Sequence, residues 1–219
     1  FFNIVKNGLI SHSDSLIRTY FAQLIEGLGF MHSKGVAHLD IKLENLMLGG
    51  DFLLKIIDFD HAQRLTDAQI TSAGTPAYRA PEVLYGSCKD FKAADVYSAG
   101  VILYTLKAGE YPFLEVQDNE GKMRRFDGDF NEDKALFWRK KEEMNGNFSE
   151  DFKELMNGML EEDPEKRFTI MDVKKSKWFN DRVLKNQTLK ISMKASLANK
   201  TMKAWNLEND SKNMKEICC

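Results

Sequence analysis

With 219 residues and a formal net charge of −2, the chain is long enough to bury on the order of 70% of its unfolded surface in one domain or one large lobe. Its 31 basic and 33 acidic residues are spread along the sequence and not gathered in a stripe, which gives nucleic-acid binding no electrostatic support. No apolar run approaches the roughly 18 residues a membrane span needs, no basic-then-apolar leader is present, and the three cysteines form neither a disulfide framework nor a CxxC spacing, so an intracellular, cytoplasmic setting is expected.

After Ser13, a side chain suited to an N-cap, Ile17, Phe21, Leu24, Ile25, Leu28 and Met31 recur at steps of three and four. This predicts one long helix with a buried face, ending near Lys34 and Gly35. The period then changes, and NLMLGGDFLLKII reads as two short strands joined by a turn at Gly49, Gly50 and Asp51. From Phe59 to Pro81 the chain is rich in Thr, Ser, Ala, Gly and Pro and has no period, a segment long enough to be functional. ADVYSAGVILYTLKAG is apolar nearly all round and predicts a central, buried helix. FSEDFKELMNGMLEEDP predicts a helix with a capping box at Ser149 and an apolar face of Phe152, Leu155, Met156 and Leu160. TIMDVKKSKWF adds a short helix with an aromatic end. Beyond Phe179 the composition turns to Lys, Asn and Ser with weak helical period, which separates residues 1–179 from a 180–219 extension, partly helical or disordered. GLGF at Gly27 to Phe30 lies inside the long helix and lacks a further glycine, so it reads as helix and not as a phosphate loop.

The chemistry-bearing stretch is GVAHLDIKLENLML, residues 35–48, followed by DFD at 58–60. Taken alone, these residues also suit a polar loop between strands. In-line phosphoryl transfer needs little covalent help from a protein; it needs a positioned nucleophile and neutralised charge on metal-bound phosphates. Asp40 suits a base that takes a proton from an attacking hydroxyl, and Lys42 a point charge for the terminal phosphate. Asn45 and Asp58 are hard oxygen donors of the kind that hold Mg²⁺ together with substrate phosphates.

HLDIKLEN, DFD and the APE at Ala80 to Glu82, in this order, resemble the eukaryotic protein kinase family. AGTPAYRAPE, ADVYSAGVIL and DPEKRFT are similar to successive segments of the same family. Lys42, two residues after Asp40, and Thr75 ahead of APE resemble the serine/threonine branch, and FWRKKEEMNGNFSEDFKELMNGML is most similar to its calcium/calmodulin-dependent group. The resemblance implies a mainly α C-terminal kinase lobe over 1–179, with a small β-hairpin carrying the catalytic and metal-binding loops. It implies Mg²⁺-dependent transfer of the ATP γ-phosphate to Ser/Thr hydroxyls of protein substrates. Carried over by position, Asp40 is the catalytic base, Lys42 the γ-phosphate contact, and Asn45 and Asp58 the metal ligands. Met47 lies beneath the adenine, Glu44 faces the nucleotide side and favours basic residues upstream of the target hydroxyl, and Thr75 lines the substrate site. Thr71 matches the activation-loop phosphosite, with Ser72 and Thr66 as neighbours. His38 and Phe59 pack under the site, Glu82 pairs with Arg167, and Asp95 holds the catalytic-loop backbone.

Three departures qualify these expectations. The sequence contains no glycine-rich loop, strand lysine or partnering helix glutamate, so the β-rich N-terminal lobe is expected to be absent from this chain. A non-catalytic, pseudokinase-like binding module is therefore the alternative to the enzyme. Leu39 stands where most kinases carry an arginine that pairs with the activation-loop phosphate, and leucine forms no such bond. Asp60 replaces the glycine of the third motif, at a place expected to need left-handed backbone, and adds a charge beside the metal site. In the tail, a calmodulin-like or autoinhibitory contact and lipid attachment at Cys218 and Cys219 are minor readings.

Overall fold

The computed structural model describes residues 1–10, 13–66, 74–117, 123–126, 130 and 132–200. Thr71, Ser72, Cys218 and Cys219 lie outside the described residues.

A short helix α1 (Phe2–Lys6) leads to the 20-residue α2 (Asp14–Ser33). As the sequence predicts, the Ser13 side chain caps α2 by accepting from the Leu16 N–H, and the Ile17 to Met31 stripe is buried. Two strand pairs follow. β1 (Val36–Ala37) pairs antiparallel with β4 (Gln63–Arg64), and β2 (Leu46–Leu48) pairs with β3 (Leu54–Ile56) in the register Met47 opposite Lys55. The β1–β4 pair was not legible beforehand, because two-residue strands have no period to read. In the β2–β3 turn the left-handed residue is Phe52 (φ 62°), held where Asp51 accepts from the Leu53 N–H at 3.1 Å. Gly27 in GLGF has a packing role: an added Cβ there would sit 2.9 Å from Ile56 Cδ1, so its absence lets β3 approach α2.

After the short helix α3 (Pro81–Leu84), the 18-residue α4 (Phe91–Ala108) runs through the core, with Asp90 accepting from the Lys92 and Ala93 N–H groups at its start. It stops at Gly109 (φ 78°), the left-handed cap that glycine adopts at little cost. A hairpin of β5 (Leu114–Gln117) and β6 (Met123–Phe126) and the helix α5 (Lys134–Asn145) come next. They are followed by α6 (Glu150–Met159), α7 (Ile170–Lys175) and a helix α8 over 186–200. Aromatic rings knit the later helices together: Phe148 stacks on Phe152 at 5.5 Å, and Trp178 meets Phe152 and Phe21 edge-on.

One expectation needs correction. Ser149 does cap α6, but its third helical residue is Phe152, which has no side-chain oxygen to return the bond; the reciprocal capping box is at Thr169 and Asp172 of α7. The extension beyond Phe179 is held by the fold as far as it is described. Leu189 and Met193 of α8 are fully buried, the Leu184 N–H donates to Thr19 of α2, and buried Arg18 donates to the Trp178 and Arg182 carbonyls while pairing with Asp181. Among the described residues no helix is long and apolar enough to cross a membrane.

Candidate active site

The site forms where the chain leaves α2 and enters the β2–β3 hairpin. The β1–β4 pair and the Leu65 N–H, which donates to the Gly35 carbonyl at 2.8 Å, close the loop that carries Asp40 and Asp58. Asp95, buried at the head of α4, grips this loop from below: one carboxylate oxygen accepts from the Leu39 N–H and the other from the His38 N–H, both at 2.8 Å. Leu39 sits at φ 64°, a conformation that costs a non-glycine residue about 1–2 kcal/mol. The two bonds to Asp95 and the burial of the leucine side chain hold it there.

Sequence reasoning missed His32. Its Nε2 lies 2.9 Å from the Asp95 carboxylate, on the last turn of α2. The available signal was position: His32 stands four residues after Leu28, on the buried face, where a polar ring must find a partner. His38 shows a defined proton arrangement. Its Nε2 donates to the Ile57 carbonyl at 3.0 Å and its Nδ1 accepts from the Asp40 N–H at 3.3 Å, the pattern of a neutral ring.

Asp40 is buried and surrounded by donors. Lys42 Nζ reaches Oδ2 at 2.6 Å, the Thr75 N–H and hydroxyl reach Oδ1 at 2.8 and 3.0 Å, and Asn45 Nδ2 donates to Oδ2 at 3.1 Å and to the Asp40 carbonyl at 2.9 Å. Lys42 also donates to the Thr75 hydroxyl at 2.9 Å. Burial alone would raise the Asp40 pKa; the hydrogen bonds from Lys42 and Thr75, with the lysine charge, outweigh it and hold the carboxyl below its ordinary value. Gly74 makes the approach possible: at φ 91° it brings Thr75 in, and a Cβ there would lie 2.5 Å from the Leu39 carbonyl. Arg79 fixes the same turn by donating to the Gly74 carbonyl.

Asp58 is exposed and tied in through the backbone, since the Ile57 N–H donates to the Asn45 carbonyl at 2.9 Å. The bonds of Asn45 run from its nitrogen, so they do not consume its amide oxygen. An amide oxygen and an exposed carboxylate are oxygen donors of the kind a hard cation takes. The left-handed residue of DFD is Asp58 (φ 65°), not Asp60, so Asp60 occupies its place without that strain.

The remaining candidates fall as follows. Glu44 is exposed on a single 3-10 turn (Leu43–Asn45), and Met47 on β2 is 51% exposed. Phe59 packs against His38 with ring centroids 5.2 Å apart, but it is 52% exposed and not enclosed beneath the site. Glu82 and Arg167 form a buried bidentate pair at 2.6 and 2.9 Å, and the guanidinium also donates to the Ala93, Glu161 and Glu162 carbonyls.

The loop thus presents a donor-ringed carboxylate beside a lysine, strapped to a buried helix. A family model described as the protein kinase domain matches residues 1–179, and the chain belongs to that family. The chain is 41% identical over 183 residues to CBL-interacting serine/threonine-protein kinase 8 of Arabidopsis thaliana, covering 82% of this chain and 38% of that protein. It is 32% identical over 192 residues to serine/threonine-protein kinase kin-29 of Caenorhabditis elegans (86% and 22%) and 36% identical over 182 residues to serine/threonine-protein kinase STK11 of Gallus gallus (78% and 37%). These relatives place it in the serine/threonine branch. The chain spans well under half the length of the curated relatives it matches.

Proposed function

We propose that residues 1–179 are the C-terminal lobe of a serine/threonine kinase that transfers the γ-phosphate of ATP to protein hydroxyls, with 180–219 as an extension. The observation that carries this reading is the Asp40 carboxylate, kept ionised by Lys42 and Thr75 and aimed by the strained Leu39 backbone. Asp40 accepts the proton of the incoming hydroxyl, and Thr75, bonded to the same carboxylate, marks the edge of the substrate site. Lys42, already neutralising that carboxylate, offers its charge to the transferred phosphoryl group. Asn45 and Asp58 would hold Mg²⁺, which when bound neutralises charge on the phosphates. Met47 gives the adenine an apolar floor, and exposed Glu44 favours a basic residue near the phosphoacceptor. Thr71 is the candidate phosphosite of the activation loop.

The sequence has no glycine-rich loop with a following strand lysine, so these residues account for the metal and γ-phosphate side of the nucleotide site. The outward face of α8 keeps Lys190 and Lys194 exposed for a partner, while Leu189 and Met193 bury its other face. The test is phosphate transfer from labelled ATP by the full-length protein. Asp40→Asn is expected to lower turnover by about 10²- to 10⁴-fold. Asp58→Ala is expected to remove the response to Mg²⁺. Equal activity of Asp40→Asn and wild type would overturn the assignment.

A further inference from the structure

Between the end of α2, the head of α4 and α7 lies a cavity of about 510 Å³ that the reading above leaves unused. That volume falls in the range of sites that hold small molecules. Val96 of α4, Phe168, and Ile170 and Met171 of α7 are its apolar walls. The Phe168 ring lies over Gly158 and gives the cavity one flat face, and Gly29 of α2 adds no side chain to fill it.

One polar group of the wall is tied to the catalytic loop. His32 is 8% exposed, its Nε2 donates to the Asp95 carboxylate at 2.9 Å, and Asp95 in turn accepts from the His38 and Leu39 N–H groups. Asp95 acts as an acceptor in all three bonds, so the proton of the neutral imidazole sits on Nε2 and Nδ1 carries a lone pair. Nδ1 has no hydrogen-bond partner among the described residues. The other tautomer would turn a lone pair toward the carboxylate and lose the bond that supports it.

Charge narrows what can meet that nitrogen. Lys92, Arg167 and Lys174 line the cavity, with Asp90 as the one carboxylate of the lining. Glu82 holds Arg167 and Glu26 holds Lys174, whereas Lys92 is exposed and has no carboxylate partner among the described residues. Asp90 is occupied in accepting from the first N–H groups of α4. A cationic ligand would meet three like charges. An anionic head would face the Nδ1 lone pair with the Asp95 carboxylate behind it. A neutral hydroxyl meets neither obstacle, and its O–H is the donor that Nδ1 lacks.

We propose that this cavity is a binding site for a neutral aromatic hydroxy compound, whose O–H bonds to His32 Nδ1 and whose rings fill the space between Phe168 and Met171. Rings gain edge or offset contacts with Phe168 and a sulfur contact with Met171. Bonding Nδ1 locks His32 in the tautomer that supports Asp95, so the ligand steadies the strained backbone of Leu39; His32 is a positioning residue. The site goes beyond the kinase reading and does not depend on it.

The experiment titrates the full-length protein at neutral pH with naphthol, naphthoate and naphthylmethylammonium, substituted at the same ring carbon, by isothermal calorimetry. Naphthol is expected to bind about tenfold tighter than either charged probe, the scale of one net hydrogen bond. Met171→Asp, at a position 59% exposed, puts a charge on the apolar wall; Gly29→Leu fills the cavity from α2, where an added Cβ meets nothing closer than 3.4 Å. Each should weaken naphthol by about tenfold without endangering the fold. In imidazole nitrogen NMR spectra the His32 Nδ1 resonance should move on binding, while that of His38, already bonded to the Asp40 N–H, stays. Hydrogen exchange of the His38 and Leu39 amides should slow by up to about tenfold with naphthol at about ten times its Kd. Equal affinity for the three probes, full binding in both variants, an unmoved His32 resonance or unchanged exchange at His38 and Leu39 would each overturn the proposal. No arm reads phosphate transfer, so such a failure leaves the kinase reading standing.

Discussion

At Asp40 burial and hydrogen bonding oppose each other, and the bonds win. Its folded-state pKa is lowered, so its ionisation contributes stability that is fully present above the unfolded carboxyl value of about 3.9 and lost as pH falls through the lower folded value. In urea titrations the stability difference between wild type and Asp40→Asn should therefore hold level from neutral pH down to about pH 5 and shrink below about pH 4. A difference that grows on acidification would contradict the geometry. Leu39 makes a second residue-scale prediction. Its side chain is buried and cannot bond a phosphate, so Thr71→Ala should keep phosphate transfer within about threefold, or about 0.7 kcal/mol, in the full-length enzyme. Loss of all turnover in a folded Thr71→Ala protein would show that another cation takes the missing arginine's place. Cys88 gives a third. Burial, then the charges of Glu82 and Asp90, push its thiol up to about 12, so iodoacetamide at pH 8 should modify it only after unfolding, as followed by peptide mass spectrometry.

At the scale of elements, glycine positions record how closely helices approach. Gly158 of α6 faces the Phe168 ring so directly that an added Cβ would lie 2.5 Å from three ring carbons, and the Phe168 N–H donates to the Gly158 carbonyl at 2.9 Å. Alanine is the better helix former by about 1 kcal/mol, yet overpacking at such a distance costs about 1–3 kcal/mol. Gly158→Ala should thus be destabilising in a denaturant titration; a stabilised variant would mean the ring moves freely aside. Element types were legible from local pattern: α2, α6 and the β2–β3 hairpin follow from spacing, and α4 from a long stretch apolar nearly all round. The β1–β4 pair was not, since its existence depends on Gly35 and Leu65 meeting across the loop, and no local pattern encodes that meeting.

For the whole molecule, the Glu82–Arg167 pair joins the segment that carries Thr75 to the last third of the chain. Arg167 lies over the Tyr97 ring at 4.9 Å and donates to the Glu161 and Glu162 carbonyls between α6 and α7 and to the Ala93 carbonyl at the start of α4. Arg167→Ala leaves a buried carboxylate unpaired and should cost about 3–5 kcal/mol, measured by chemical denaturation. Replacing both partners with apolar residues should cost less, because no charge is then stranded.

The sequence by itself singled out Asp40, Lys42, Asn45 and Asp58 as candidates, because phosphoryl transfer calls for side chains of these types and their offsets lie within one short loop and the next strand end. It also determined α2 and α6, whose apolar residues recur at steps of three and four, and α4, apolar nearly all round. Only the tertiary structure decided what depends on residues distant in sequence: the grip on the strained Leu39 by Asp95, itself bonded to His32, the approach of Thr75 to Asp40 through Gly74, and the pairing of Glu110 with Lys141. Each is a bond between groups about 30 to 60 residues apart, and no spacing within a local window carries it.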